Sequence, residues 1–107
     1  MFYLLYVYVP ILASENLKNA LFDAGAGRYK YYDRCSWESI GTGQFRPLEG
    51  SNPSLGTLEA LEKVEEIKIE MICTAEKIKE VLEKLKEVHP YEEPAYGVIE
   101  IKTLEDF

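Results

Sequence analysis

The sequence predicts an α+β domain: a four-stranded antiparallel sheet with two helices packed on one of its faces. Three observations carry this. Residues 3–9, Tyr-Leu-Leu-Tyr-Val-Tyr-Val, are aromatic and β-branched. Residues 64–73 alternate apolar and charged side chains with period two. Each stretch is followed by a stripe of apolar residues at helical spacing.

The first strand can hold Leu5, Val7 and Val9 on one side, and Pro10 ends it. Ser14 is a candidate N-cap, with Glu15 where a helix N-terminus favours negative charge. Leu17, Ala20, Leu21 and Ala24 form the stripe of the first helix, and Gly25 is placed to stop it in a left-handed conformation. Residues 28–38 read as the second strand. Residues 39–62 hold Gly41, Gly43, Pro47, Gly50, Pro53 and Gly56. They read as an extended hairpin arm with short strands near 44–48 and 57–61. So long a segment must pack on something, another subunit being one candidate.

The third strand carries Ile67, Ile69, Met71 and Cys73 on one face, with Lys68 and Glu70 opposite. Thr74 can cap the second helix, whose stripe is Ile78, Val81, Leu82, Leu85 and Val88, and Pro90 closes it. Residues 95–101 form the last strand. The order is β-α-β, arm, β-α-β, the ferredoxin-like βαββαβ plan. No helix covers the second face of such a sheet. That face carries tyrosines, so it is expected to be buried against another copy.

Length and charge bound the functions. At 107 residues the chain is read as one domain, 1–107, and 47% hydrophobic residues argue against disorder. No apolar run is long enough for a membrane helix. Met1 to Leu12 lacks a basic leader and a small-residue cleavage pattern, so the expected compartment is the cytoplasm. A net charge of −7 disfavours nucleic acid and anionic membranes as partners. Two cysteines and one histidine are too few for a structural zinc site.

The distinctive words are Ala24-Gly25-Ala26-Gly27, Asp33-Arg34-Cys35-Ser36-Trp37, Gly41-Thr42-Gly43-Gln44-Phe45-Arg46-Pro47, Gly50-Ser51-Asn52-Pro53 and His89-Pro90-Tyr91-Glu92-Glu93-Pro94-Ala95-Tyr96. The first follows a helix and lacks Gly-Lys-Ser/Thr, so it reads as a helix stop and not as a phosphate loop. His89, with Glu92, Glu93 and Cys35, could ligate Cu, Zn or Ni, or it could simply end the second helix. Glu92 and Glu93 are adjacent and should point to opposite sides of an extended segment, one of them pairing with Arg34 or Arg46. Cys35 with His89 as its base is the best nucleophile on offer, but no third orienting group is visible. Cys73 reads as a buried core residue.

In this order, the words resemble the domain inserted in the dinuclear-metal-centre family of NGG-interacting-factor-like (YqfO-type) proteins, from about Val9 to Ile101. The His-Pro-Tyr-Glu segment and the β-α-β plan also resemble the CutA divalent-cation-tolerance proteins. The resemblance implies a CutA/PII-like fold and a homo-oligomer, a trimer above all. Two departures stand out: Trp37 where phenylalanine is usual, and Tyr29-Lys30 where Ile-Gly is common. The metals of the larger family are held by flanking domains, and nothing here matches those ligands, so the resemblance carries over no hydrolase activity. The expected function is a non-catalytic regulatory module that binds a small ligand or partner, with Cys35, Arg46, His89, Tyr91, Glu92 and Glu93 as ligand or interface residues. The alternative is divalent-cation binding through His89, Glu92 and Glu93. A hydrolase ranks last.

Overall fold

The computed structural model describes residues 1–107. The elements are β1 (Phe2–Pro10), α1 (Ser14–Asp23), β2 (Trp37–Phe45), β3 (Glu62–Thr74), α2 (Ile78–Val88) and β4 (Tyr96–Ile101), with short 3-10 turns at Ile11–Ala13 and Leu104–Asp106. The strands form one sheet in the order β2-β3-β1-β4, all antiparallel. Each strand–helix–strand unit therefore spans one intervening strand. This is the ferredoxin-type α+β plan that the periodicities predict.

The register explains the core. Leu5 lies opposite Met71 and Val98, and Val7 opposite Ile69 and Tyr96. Because side chains alternate, Leu5, Val7 and Val9 share a face with Ile67, Ile69, Met71 and Cys73. Leu17 and Leu21 of α1 and Val81 and Leu85 of α2 close over that face, and all of these residues are buried. Burial raises the Cys73 thiol pKa, so this cysteine is a packed hydrophobe and not a nucleophile.

Neither α1 nor α2 packs on the opposite face. Phe2, Leu4, Tyr6 and Tyr8 of β1 alternate onto it, beside Ile72 of β3 and Ile99 of β4. Trp37 on the edge strand is 67% exposed. Gly97 matters here because a Cβ would lie 2.5 Å from the Tyr6 hydroxyl oxygen, so glycine lets the Tyr6 ring cross β4.

Three expectations need correction. The second strand is Trp37–Phe45, not 28–38. Residues 28–36 mimic a strand in composition, but Lys30 and Arg34 have φ of 52° and 53°, which breaks an extended chain. Tyr29 and Tyr32 instead bridge each other across a turn, and Lys30 occupies its left-handed position. The short strands expected near 44–48 and 57–61 are absent. Instead β2 runs up to Phe45 and pairs with β3 from Glu62 onward. Finally, neither expected cap residue caps a helix. Ser14 Oγ donates to the Ile11 carbonyl at 2.7 Å, because a 3-10 turn already leads into α1. Thr74 is followed by a turn before α2 begins.

The arm is real but differently built. β3 pairs with β1 only from Glu66 to Thr74, so Glu62–Glu65 and the end of β2 project as a two-stranded ribbon. The projection makes the molecule 48 Å long and 25 Å across, with a radius of gyration of 15.1 Å. A compact chain of this length would have about 13 Å. Residues 46–61 fold back from the ribbon toward the sheet, held by Glu59 N–H donating to Pro47 O at 2.7 Å and by burial of Pro47.

Candidate ligand cleft

Where the arm folds back, it encloses a cleft of about 300 Å³ on the helix-free side of the sheet. Tyr8 of β1, Phe45 of β2 and Glu66 of β3 reach it by register, all on the face opposite the core. Pro47, Pro53 and Leu55 supply apolar wall from the loop, and Tyr91, Glu92, Glu93 and Ala95 supply the other side. The size sits at the lower end of small-molecule sites.

Two sequence-distant words are clasped to make it. The backbone N–H of Asn52 donates to Glu92 Oε2 at 2.9 Å. This bond ties the Gly50-Ser51-Asn52-Pro53 turn to the His89–Pro94 segment. Glu92 therefore pairs with neither Arg34 nor Arg46. Arg34 binds Asp23 at 3.1 Å, and Arg46 forms no ion pair within the chain. The segment bends at 91–93 instead of extending, so Glu92 and Glu93 both line the cleft.

His89 is the keystone beneath this wall. It is 6% exposed. Its Nε2 lies 2.8 Å from the Tyr8 carbonyl, and its Nδ1 accepts the Tyr91 N–H at 3.1 Å. These roles assign the neutral tautomer protonated on Nε2. Burial lowers its pKa, opposed by the Tyr8 carbonyl and Glu66. Metal coordination by His89 would require breaking one of the two bonds. Within one chain no three His, Cys, Asp or Glu side chains converge to hold a metal ion.

Tyr91 packs its ring between Phe45, 5.9 Å away, and His89, 5.2 Å away. Its hydroxyl is buried and lacks a hydrogen-bond partner. Burial first, then the charge and a weak side-chain interaction of nearby Glu66, then the charge of Glu62, push its pKa up to about 12. Glu66 itself lies over Gly43, where a Cβ would run into the carboxylate. That close approach explains one glycine of the Gly-Thr-Gly word.

Of the six residues singled out from sequence, Tyr91, Glu92 and Glu93 line the cleft and His89 supports it. Arg46 follows Phe45 on the arm and is exposed. Cys35 lies elsewhere. Its N–H bonds Gly27, whose own N–H bonds Ile72, opposite Leu4 in the sheet. His89 is anchored at Tyr8, four strand residues or about 13 Å away. Cys35 and His89 thus form no nucleophile–base pair. Tyr8 and Glu66, like Ser54 and Leu55 of the loop, are cleft residues that the sequence reading missed. The period-two pattern of the two strands already puts both on the helix-free face.

No family model matches the chain. Individual proteins do. A GTP cyclohydrolase 1 type 2 homolog from Halalkalibacterium halodurans is 47% identical over 96 residues, 90% of this chain and 26% of that protein. Among solved structures, a Bacillus cereus protein related to NIF3 superimposes with a TM-score of 0.82 at 38% identity, over 95% of this chain and 26% of that one. The periplasmic divalent cation tolerance protein CutA from Archaeoglobus fulgidus gives a TM-score of 0.71 at 21% identity, over 99% of this chain and 90% of that one. The chain spans about a quarter of the curated relatives it matches, while the CutA likeness is one of fold. By sequence and by architecture, the chain matches a NIF3-like (NGG-interacting-factor-like) domain with the CutA/PII fold.

Proposed function

We propose that this chain is a non-catalytic, self-associating module, a trimer by the precedent of its fold, that binds a small ligand in the arm cleft in a regulatory role. The observation that carries the reading is the cleft's position. It lies on the helix-free face, where two motifs remote in sequence are joined by the Asn52–Glu92 bond. A second copy covering the aromatic part of that face would border the cleft, so that ligand and assembly could influence each other. The activity in the relatives' name is not carried over, because the chain corresponds to a quarter of their length.

The test is a thermal-shift screen of small metabolites against the wild type and Ala95→Trp, in which an indole fills the cleft. Ala95 uses its backbone carbonyl to bond Tyr8, and that bond survives the change. At least one compound should raise the wild-type Tm and leave the variant unmoved. A screen in which nothing shifts the wild type, or in which every shift persists in the variant, contradicts the reading.

A further inference from the structure

The lining of the cleft discriminates between ligand classes. Three carboxylates, Glu66, Glu92 and Glu93, face it, and no Lys, Arg or His does. Glu92 is engaged with the Asn52 amide, whereas Glu66 and Glu93 form no ion pair. The walls are the rings of Tyr8, Phe45 and Tyr91. Aromatic faces attract cations. The chain already uses this property, with the Lys68 ammonium 5.8 Å from the centre of the Tyr8 ring.

The Tyr91 hydroxyl is an independent observation. Buried hydroxyls without partners are uncommon, because desolvation without a hydrogen bond is costly. This one lies close enough to Glu66 for a weak interaction that helps raise its pKa, but it completes no well-formed hydrogen bond. An anion entering the cleft would meet three carboxylates. A neutral apolar molecule would desolvate Glu66 and leave the hydroxyl unpaired. A bare metal ion finds no converging ligand set. A ligand with N–H donors and a positive charge satisfies both groups at once.

Resting on the reading of the cleft as a ligand site, we infer that it takes a free small organic cation: an amidinium, guanidinium or primary ammonium on a flat or short apolar body. The charged head meets Glu66 and the Tyr91 hydroxyl oxygen. The body lies between the rings of Tyr8 and Phe45.

Three probes of one shape and different charge test this: benzamidinium, benzamide and benzoate, titrated calorimetrically into the full chain near neutral pH at low salt. Benzamidinium should bind at least about tenfold more tightly than benzamide, and benzoate should give no heat of binding. Glu66→Gln should weaken benzamidinium about tenfold. Tyr91→Phe should weaken it too without lowering Tm, since the lost hydroxyl has no partner to orphan. A fall in Tm would instead assign that hydroxyl a structural bond to Glu66 and overturn its part in binding. Equal binding of benzamide or benzoate overturns the charge preference while leaving the cleft a ligand site. No binding by any probe overturns the inference, and the metabolite screen then decides separately whether the cleft binds ligands at all. If benzamidinium binds only while dissociating the assembly in light scattering, the cation is a basic side chain of a second copy and not a free ligand.

Discussion

Replacing His89 with alanine is expected to cost the domain about 3 kcal/mol of stability. The ring is buried, so its removal leaves a cavity under Tyr91. It also leaves the Tyr8 carbonyl and the Tyr91 N–H without their partners. Both groups belong to the cleft wall, so the substitution should disorder the Tyr91–Glu93 segment and abolish ligand-induced stabilisation. The same residue sets a pH dependence. Its folded-state pKa is lowered from 6.5 by burial, so the folded state resists the proton that the unfolded chain accepts. The His89 contribution is fully present above about pH 6.5 and is lost as pH falls below that value toward the folded pKa. Urea denaturation at stepped pH, in wild type and His89→Ala, measures both effects. The wild type should lose stability on acidification through this range more steeply than the variant. Parallel pH profiles would show that His89 is not the buried neutral imidazole described here.

The second large effect is expected at Gly27. Its φ is +75°, and a Cβ there would lie 2.7 Å from the Phe22 ring and 2.9 Å from the Cys35 carbonyl oxygen. Its N–H donates to Ile72 O at 2.7 Å, and its carbonyl accepts the Cys35 N–H at 2.8 Å. Gly27 therefore fastens the loop after α1 to β3. Gly27→Ala should cost at least about 2 kcal/mol, from left-handed strain plus a clash against backbone. Gly41→Ala is the control: that glycine has open space around its α-carbon and no positive φ, so its cost should stay within about 0.5 kcal/mol. Equal losses at the two positions would contradict this account of the Ala-Gly-Ala-Gly word. The word acts as a helix stop followed by a clip.

Much of the fold was legible because its core obeys two periods. The alternation of Ile67, Ile69, Met71 and Cys73 and the stripes running through Leu21 and Leu85 locate one continuous core without any structure. The second strand was not legible. β2 is an edge strand whose side chains are mostly exposed, so burial imposes no alternation on it, and Gly41 and Gly43 suppress its propensity. The tyrosine-rich 28–36 segment carried a stronger strand signal than the strand itself. It was overruled by the left-handed turns at Lys30 and Arg34.

The cleft was half legible. The His-Pro-Tyr-Glu-Glu word drew attention to Tyr91, Glu92 and Glu93. Tyr8 and Glu66 arrive there through pairing register, and the Asn52–Glu92 bond joins residues forty apart. Local sequence carries no trace of such a bond. Cys35 stands apart from the cleft, tied to Gly27, and Arg46 sits on the arm between Phe45 and Pro47, exposed and outside the cleft lining.

The proposed self-association would bring together an aromatic face that no helix covers and the cleft at its edge. Size-exclusion chromatography with multi-angle light scattering measures this directly on a 12.3 kDa chain. The account predicts a defined multiple of that mass, with a trimer as the expected value, and a drop to the single-chain mass when Leu4 and Ile99 on the helix-free face are both changed to glutamate. A wild-type chain that elutes as a clean monomer at high micromolar concentration would contradict it.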